Sequence, residues 1–258
     1  MSEKKIKKVG IQMYSIRNFY YQNPAEAFKF IKDCGYDAVE MYGDATMSAE
    51  ELKKLFDDAG LECCGWHSQW HYMAKPDMLE MFASYNKVIN NNYLIIPWIP
   101  PEVRLDREGW LKTAEKLNEI AKRLKDYGMY TGLHSHADEF KFITGDSSNE
   151  YPWDIIAKNT VNDVVLQLDM GNTYHTGVEP VAVLKKYPQR AQTVHIKPFS
   201  LTKGSVVQIG EDDIDWVETV KFCEEQGNTD YYIVEYGDEE DKIKSSVKKC
   251  LDNFKKYL

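Results

Sequence analysis

Residues 164–197 read VVLQLDMGNTYHTGVEPVAVLKKYPQRAQTVHIK, and this stretch shows the pattern that decides the fold. A short run rich in β-branched and aliphatic residues begins it, and a second such run ends it. A longer amphipathic segment separates the two runs, as expected for the crossover connection between parallel strands. The sequence therefore predicts two parallel strands here, Val164–Asp169 and Thr193–Lys197.

The same alternation extends over the whole chain. A capping box at Ser48–Glu51 followed by Gly60 predicts one helix, and Asn23–Pro24 followed by Gly35 predicts another. Six more short runs have strand character, and they are Val9–Tyr14, Asp37–Met41, Glu62–His67, Tyr93–Pro97, Met129–His134 and Tyr231–Glu235.

Eight strand–helix units without a Ser/Gly/Pro-rich linker predict one α/β domain over residues 1–258, a (β/α)8 TIM barrel with eight parallel strands. The alternative is an open, doubly wound sheet, which needs a glycine-rich phosphate turn after its first strand. The first turn here, YSIRNFYYQNP, contains no glycine. The length of 258 residues also fits a single barrel.

The composition restricts the possible partners. The chain has 32 Lys+Arg and 41 Asp+Glu, which gives a net charge of −9. This acidic balance argues against a protein whose main task is to coat nucleic acid or an anionic membrane. Its most apolar stretch, Tyr93–Ile99, is far shorter than the ~20 residues of a membrane span. Five irregularly spaced cysteines and no secretory signal suit a cytoplasmic protein. A homo-oligomer is possible.

Several ionisable residues fall at or near the carboxyl ends of the predicted strands. In a barrel these ends meet at one rim, where active sites lie. Each of these residues alone could be structural, but imidazoles and carboxylates that converge from different strands form a good site for a divalent metal. The residues are Glu40, His67, His134, Asp169, His195 and Glu235.

The motifs of the chain resemble those of the xylose isomerase-like TIM-barrel superfamily, and most of all its sugar phosphate isomerase/epimerase subgroup. The resemblance covers nearly the whole chain. It is carried by GIQMYSIR, GYDAVEMYG, GLHSHADEF and YYIVEYG, and by the ordered series LDMGN, VEPV, KKYP and VHIK.

The resemblance implies one divalent ion, Mn²⁺, Zn²⁺, Co²⁺ or Mg²⁺, held by His134, Asp169, His195 and Glu235. The epimerase members have Glu at the fifth-strand position, where this chain has His134. The difference removes one of the two glutamates of their symmetric mechanism. A histidine at this position also resembles inosose dehydratase-type relatives, which points toward elimination.

The implied catalytic groups are Glu235, His136, Lys197 and Glu40. Glu235 is the first candidate base, with a role as a metal ligand alone as the alternative. His136 is a second acid or base or an orienting group, and Lys197 stabilises an enediolate oxygen or forms a rim salt bridge. Glu40 contacts substrate hydroxyls or transfers protons, unless it forms a structural pair with a neighbour.

Four further residues are expected to contact the substrate. His67 is a candidate contact for sugar hydroxyls. Trp66, Trp98 and Phe199 lie at or just after strand ends, where flat rings can stack on a sugar. Closure of the core is the alternative role for at least half of these aromatic residues.

The function implied by the resemblance is a metal-dependent carbohydrate isomerase or epimerase, which removes a proton next to a metal-bound carbonyl. The acidic loop GDEED at 237–241 predicts an unphosphorylated keto sugar. One alternative is a lyase or dehydratase on keto sugars, keto-glycosides or inososes, and another is a non-catalytic sugar-binding barrel. The nuclease branch of this fold needs a basic surface, which the composition disfavours.

Overall fold

Eight parallel strands form a barrel in the computed structural model, which describes residues 7–237 and 239–258. The prediction of a (β/α)8 barrel is confirmed. The strands are β1 (Lys8–Gln12), β2 (Ala38–Tyr42), β3 (Glu62–His67), β4 (Tyr93–Ile96), β5 (Tyr130–His134), β6 (Val165–Gln167), β7 (Thr193–Ile196) and β8 (Tyr231–Val234).

Helices follow the strands and form the outer layer. The predicted capping box is present, with the Ser48 hydroxyl and the Glu51 carboxylate each accepting from the other's backbone N–H. The helices are α1 (Arg17–Gln22), α2 (Pro24–Cys34), α3 (Ala49–Ala59), α4 (Trp70–Met73), α5 (Pro76–Val88), α6 (Arg107–Leu124), α7 (Pro152–Asn159), α8 (Met170–Tyr174), α9 (Pro180–Lys186), α10 (Trp216–Phe222) and α11 (Ile243–Phe254). Short 3₁₀ or π-helical turns lie at Met13–Ile16, Pro101–Val103, Lys125–Tyr127, Ala137–Phe140 and Cys223–Gly227.

The strands pair in the order β6-β5-β4-β3-β2-β1-β8-β7, which leaves β6 and β7 to close the barrel. At this seam the N–H of His195 donates to the carbonyl of Leu168 at 2.9 Å, and Asp169 and His195 form an isolated parallel bridge. The closure of the barrel therefore places two of the expected metal ligands side by side.

The barrel interior changes character along its axis. Its apolar part contains two small buried clusters. One consists of Ala38, Cys64 and Ile233, and the other of Tyr93, Ile95 and Val165. Towards the carboxyl ends of the strands the interior is polar. The main hydrophobic core lies on the other face of the strands, against the helices. The rim therefore contains a group of buried polar side chains inside an apolar shell.

The observed strands end earlier than predicted at several positions. Strand β6 stops at Gln167, because Asp169 is the N-cap of α8 and its Oδ1 accepts from the N–H of Asn172 at 2.7 Å. The next strand stops at Ile196, so Lys197 lies in the loop that follows. Among the described residues, no helix is both long and apolar enough to cross a bilayer.

Candidate active site

Four side chains from the ends of the last four strands form a compact group. One ligand atom from each of His134, Asp169, His195 and Glu235 lies within 4.8 Å of all the others. This is close to the span of the ligand shell of a single cation. The first three are buried and Glu235 is partly exposed, so the group faces the mouth of the barrel.

Gln167 determines which nitrogen of His134 carries a proton. Its Nε2 donates to Glu40 Oε1 at 2.8 Å, and this contact fixes the orientation of the amide because a carboxylate only accepts. Its Oε1 therefore accepts from His134 Nδ1 at 2.9 Å and from His67 Nε2 at 2.8 Å. The Nε2 of His134 keeps its lone pair and faces Asp169 Oδ2 at 4.0 Å. This is the tautomer that a metal ligand needs.

Glu40 orients the ring of His195 from the centre of the barrel. Its Oε2 accepts from His195 Nε2 at 2.6 Å and from Gln12 Nε2 at 2.7 Å. Burial raises the pKa of Glu40, but the nearby imidazoles of His67 and His195 outweigh this, and the net shift is downward. The contact turns the Nδ1 of His195 toward Glu235, whose Oε2 is 2.9 Å away. A buried carboxylate behind a histidine is a common arrangement at metal sites.

The carboxylate of Asp169 shows that the group fits a cation. Its Oδ2 is buried and has no hydrogen-bond partner in the described part of the chain. Burial, with Glu235 adding to it, raises the pKa of Asp169 to about 6, although Lys197 and His195 act in the opposite direction. A buried carboxylate oxygen without a partner is costly. The donor set of two imidazole nitrogens and two carboxylates suits a divalent metal.

A second group of possible ligands overlaps the first and fits less well. His67, His134 and His195 also bring one nitrogen each within 4.8 Å. However, the Nε2 of His67 is already engaged by Gln167 and lies 3.1 Å from Glu40 Oε2. Three neutral imidazoles also supply no charge to balance a dication. The group with two carboxylates is therefore the candidate metal centre.

Lys197 forms a salt bridge with Glu235. Its Nζ is 2.8 Å from Glu235 Oε1 and 4.0 Å from Asp169 Oδ2. Burial raises the pKa of Glu235, but Lys197 and His195 outweigh it and hold that pKa well below its usual range. Glu235 is therefore an ionised carboxylate with a cation on one side and an imidazole on the other.

A cavity of about 720 Å³ opens above the group. At its base lie His67, His134, His136 and Glu235, and Trp98 stands in its wall. The Nδ1 of His136 is buried and has no hydrogen-bond partner among the described residues, and the residue lines the cavity. The ring of His136 is 4.8 Å from that of His134, as expected for alternate residues that point to the same side.

Two of the expected substrate contacts lie elsewhere. Trp66 precedes the inward-facing His67 and therefore points outward, where its ring packs edge-on against Phe82 and Tyr85. It is 1 % exposed and forms part of the core. Phe199 packs against the exposed His175 rather than lining the cavity. Neither ring is placed to stack on a sugar in the cavity.

For Glu40 the contacts favour the alternative, a structural pairing with neighbouring side chains. It is fully buried, and both of its oxygens accept hydrogen bonds from other side chains. This placement favours a positioning role over direct contact with a substrate. Sequence reasoning missed Gln12 and passed over Gln167 as a site residue. The available signal was their place near the ends of strands, where Gln167 shares a face with Asp169.

A family model and individual relatives show what this chain is similar to. A family model described as xylose isomerase-like TIM barrel matches residues 28–254. The inosose dehydratase of Clostridium perfringens is 26% identical over 148 residues, which is 51% of this chain and 48% of that protein. The chain thus matches about half the length of that relative. The inosose dehydratase of Clostridium beijerinckii is 24% identical over 236 residues, covering 78% of each chain.

Solved structures resemble the chain over nearly its whole length. A sugar phosphate isomerase/epimerase from Parabacteroides distasonis has a TM-score of 0.79 at 20% identity and covers 96% of this chain and 97% of its own. The IolI protein, solved with a zinc atom, has a TM-score of 0.73 at 15% identity, with 97% and 99% covered. At these identities the likeness is one of fold.

Proposed function

The chain belongs to the xylose isomerase-like TIM-barrel family, and from this premise we propose that it is a metal-dependent dehydratase or lyase that acts on a keto sugar or keto polyol. The observation that carries the proposal is the presence of both a carboxylate and imidazoles at the base of the cavity. Glu235 is a carboxylate, and His134 and His136 are imidazoles. In an elimination one group can take up the proton and another can protonate the leaving oxygen.

The candidate metal centre supplies the activation. A divalent cation held by His134, Asp169, His195 and Glu235 would polarise a ketone oxygen and so acidify the neighbouring C–H bond. Glu235 is ionised and borders the cavity, so it is the candidate base. Lys197, at 2.8 Å from Glu235, holds that carboxylate in place and supplies positive charge next to it.

His136 is the candidate proton donor to the departing oxygen; burial lowers its pKa to about 4, so the neutral ring would donate from an N–H. Its Nδ1 has no hydrogen-bond partner among the described residues, and its backbone N–H donates to Glu139 Oε2 at 2.7 Å, which fixes the position of the loop. The epimerase members exchange protons symmetrically between two glutamates. This group contains one glutamate, Glu235, so it lacks the second partner for such an exchange. Isomerase or epimerase activity is therefore the second candidate. The relatives named inosose dehydratase support this order.

Mass-resolved turnover in heavy water tests the proposed reaction. The protein, loaded in turn with Mn²⁺, Zn²⁺, Co²⁺ and Mg²⁺, is given a panel of inososes and keto sugars. Elimination gives a product that has lost water or an alcohol. A product of unchanged formula that carries deuterium would establish isomerisation or epimerisation instead. If no deuterium is exchanged with any of the metals, sugar binding is the only function left.

Glu235→Gln tests the base. We expect kcat to fall by at least ~100-fold, the usual contribution of a positioned acid or base. Glu108→Gln, on the exposed face of α6, is the matched control and should retain wild-type turnover. Because Glu235 is also a candidate ligand, the metal content of the variant must be measured with its activity. Wild-type kcat in Glu235→Gln would remove this residue from the reaction.

We further propose that the substrate carries no phosphate. Among the described residues, neither Lys nor Arg lines the cavity. Of the acidic loop GDEED, Asp238 lies outside the described residues. Free keto sugars should therefore be turned over with at least ~10-fold higher kcat/KM than their phosphates, because the carboxylates of Asp44 and Glu235, which line the cavity, repel a dianion. A preference for the phosphate would contradict this.

A further inference from the structure

We infer that the cavity holds two rings, so that the substrate is a glycoside of a keto sugar whose leaving group rests on the aromatic wall above strands β1–β4. This inference rests on the proposed elimination and names its substrate class. The wall consists of Tyr14, Tyr21, Tyr42 and Trp98, which we call the aromatic wall.

The size of the cavity exceeds the needs of one sugar ring. Even if each of its dozen non-hydrogen atoms took the roughly 30 Å³ that a water molecule takes in the liquid, a hexose would fill about 360 Å³. The cavity volume is about 720 Å³. The candidate ligands come only from the ends of β5–β8. Only His134, His136 and Glu235 of the lining residues come from this side, so a sugar ring that reaches the ligands leaves the part of the cavity above β1–β4 free.

Three rings of the aromatic wall are about half exposed to solvent, which is unusual for large aromatic side chains gathered at one place. Tyr14, Tyr21 and Trp98 are 48 %, 55 % and 49 % exposed, although all three line one cavity. Large aromatic surfaces gathered at one site indicate a binding surface, and flat rings stack well on the faces of sugars and of aryl groups.

The three tyrosines of the aromatic wall are also held in place before any ligand arrives. The ring of Tyr14 meets that of Tyr42 edge-on at 5.2 Å, and the guanidinium of Arg17 lies 4.1 Å from the Tyr14 ring centre. Tyr21 contacts Tyr42 from another side at 6.2 Å. Surfaces that are already ordered bind with less loss of conformational entropy.

Polar groups beside the wall favour a hydroxylated ring over a purely apolar one. Asp44 and Gln69 line the same part of the cavity, and the Gln69 amide donates to Asp44 Oδ1 at 2.9 Å. Together they present carboxylate and amide groups to a ligand. Such planar pairs are suited to sugar hydroxyls, so the second ring is expected to be a sugar.

The reaction of such a substrate balances without a further reactant. The ketone lies two carbons from the anomeric carbon, and the acidified C–H bond lies between them. A base takes this proton, and the C–H electron pair becomes a double bond to the anomeric carbon. The anomeric C–O bond breaks, and its electron pair leaves with the oxygen of the second ring. That oxygen takes up a proton, so the products are an unsaturated keto sugar and an alcohol.

Three substrates test the inference on the metal-loaded protein: a methyl keto-glycoside, an aryl keto-glycoside and a keto-disaccharide that share one keto ring. We expect kcat/KM for the keto-disaccharide to exceed that for the methyl glycoside by at least ~10-fold, since a stacked ring contributes about one factor of ten or more. A higher value for the aryl glycoside than for the disaccharide would assign the wall to aryl leaving groups. Equal values for all three would overturn the inference.

Trp98→Ala identifies the surface responsible. It should lower kcat/KM for the keto-disaccharide at least ~10-fold more than for the methyl glycoside, because only the former reaches the wall. Phe142→Ala removes another half-exposed aromatic ring, one that stacks on Tyr151 outside the cavity, and should change neither value. Equal losses on both substrates in Trp98→Ala would contradict the assignment.

Binding separates this inference from the proposed function. If no keto-glycoside is turned over but an ordinary disaccharide binds in calorimetry and Trp98→Ala abolishes the binding, the two-ring site stands and the elimination fails. If the methyl glycoside is turned over with no preference for a second ring, the elimination stands and the two-ring site fails. If no keto-glycoside is turned over and no disaccharide binds, both the elimination and the two-ring site fail.

Discussion

Gln167 connects more of the site than any residue that the sequence singled out. Its amide links Glu40 to the imidazoles of His67 and His134, and it also donates to Thr193 Oγ1 at 2.9 Å. These contacts fix the nitrogen that His134 presents to the candidate metal centre. Its role is therefore one of positioning, since the residue is fully buried below the ligands.

Gln167→Met tests this role. The substitution keeps the side-chain length and removes the acceptor for His134 Nδ1, so the ring is free to rotate and change tautomer. Affinity for a divalent metal should fall by about 10–100-fold, the usual effect of losing a group behind a ligand. Competition against a fluorescent chelator measures the affinity.

The matched control is Gln192→Met. Gln192 is also a buried glutamine, but its Nε2 donates to the backbone carbonyl of Gln189, away from the candidate ligands. It should bind metal as the wild type does. Unchanged affinity in Gln167→Met, with the fold intact by circular dichroism, would show that the tautomer of His134 is set by something other than the amide.

The limits of sequence reasoning are clearest at such residues. The family resemblance indicated His134, Asp169, His195 and Glu235, and the structure brings these four together. Trp66 takes the alternative role, closure of the core, because the alternation of side chains sends it outward when His67 points inward. Contacts such as those of Gln167 depend on distances across the barrel, which no local pattern contains.

The fit between neighbouring strands decides how closely the ligands approach one another. Gly132 lies two residues before His134 on β5, where the strand passes very close to β6. A Cβ at this position would lie 2.2 Å from the carbonyl oxygen of Val165 and 2.7 Å from its Cβ. Only glycine allows this approach, so Gly132 contributes to the geometry of the ligands at the ends of both strands.

Gly132→Ala should therefore push the two strands apart. We expect the free energy of unfolding to fall by about 1–3 kcal/mol, the range for overpacking in a close-packed interior. Metal affinity should fall as well, because His134 moves away from Asp169. Urea denaturation and chelator competition measure the two effects.

Gly237→Ala serves as the comparison for stability, because a Cβ at that position would have no described atom within 4 Å. It should unfold within about 0.5 kcal/mol of the wild type, as substitutions at open positions do. If Gly132→Ala were equally stable, the packing of β5 on β6 would have no part in holding the site.

The strands and helices themselves were largely predictable. All eight predicted strands are present, and the helix after the Ser48–Glu51 capping box has the expected bounds. Apolar periodicity and capping residues are local signals, which explains this success. The ends of the strands were less predictable, as at Asp169, because the side chain of the next helix N-cap competes with continued pairing.

The barrel as a whole should gain stability from the metal. The buried Asp169 oxygen, which lacks a hydrogen-bond partner among the described residues, makes the site costly without a cation. A ligand at 100 times its Kd stabilises the folded state by about 2.7 kcal/mol. For a chain of this size that corresponds to a rise in Tm of roughly 5–10 °C, which differential scanning calorimetry can measure with and without Mn²⁺ or Zn²⁺.

Asp169→Asn should show no such rise, because it removes one of the two charges that balance the dication. Asp163→Asn, on the surface before β6, should keep the full rise. An equal rise in both variants would mean that the metal stabilises the protein from another site.

The fold could be predicted from the sequence as a whole, while the cavity could not. Eight repeats of strand and helix leave few alternatives to a barrel. The cavity depends instead on loops after β1–β4, whose residues Tyr14, Asp44 and Gln69 were not predicted. Loop conformation follows from contacts between distant segments, such as the hydrogen bond between Gln69 and Asp44.

The position of a bound cation tests the account most directly. Crystals soaked in Mn²⁺ and measured at an anomalous wavelength should show a single strong peak in the barrel mouth, within about 2.0–2.3 Å of His134 Nε2, His195 Nδ1 and oxygens of Asp169 and Glu235. A peak bound by His67 in place of the two carboxylates, or an empty mouth with the metal bound elsewhere, would contradict it.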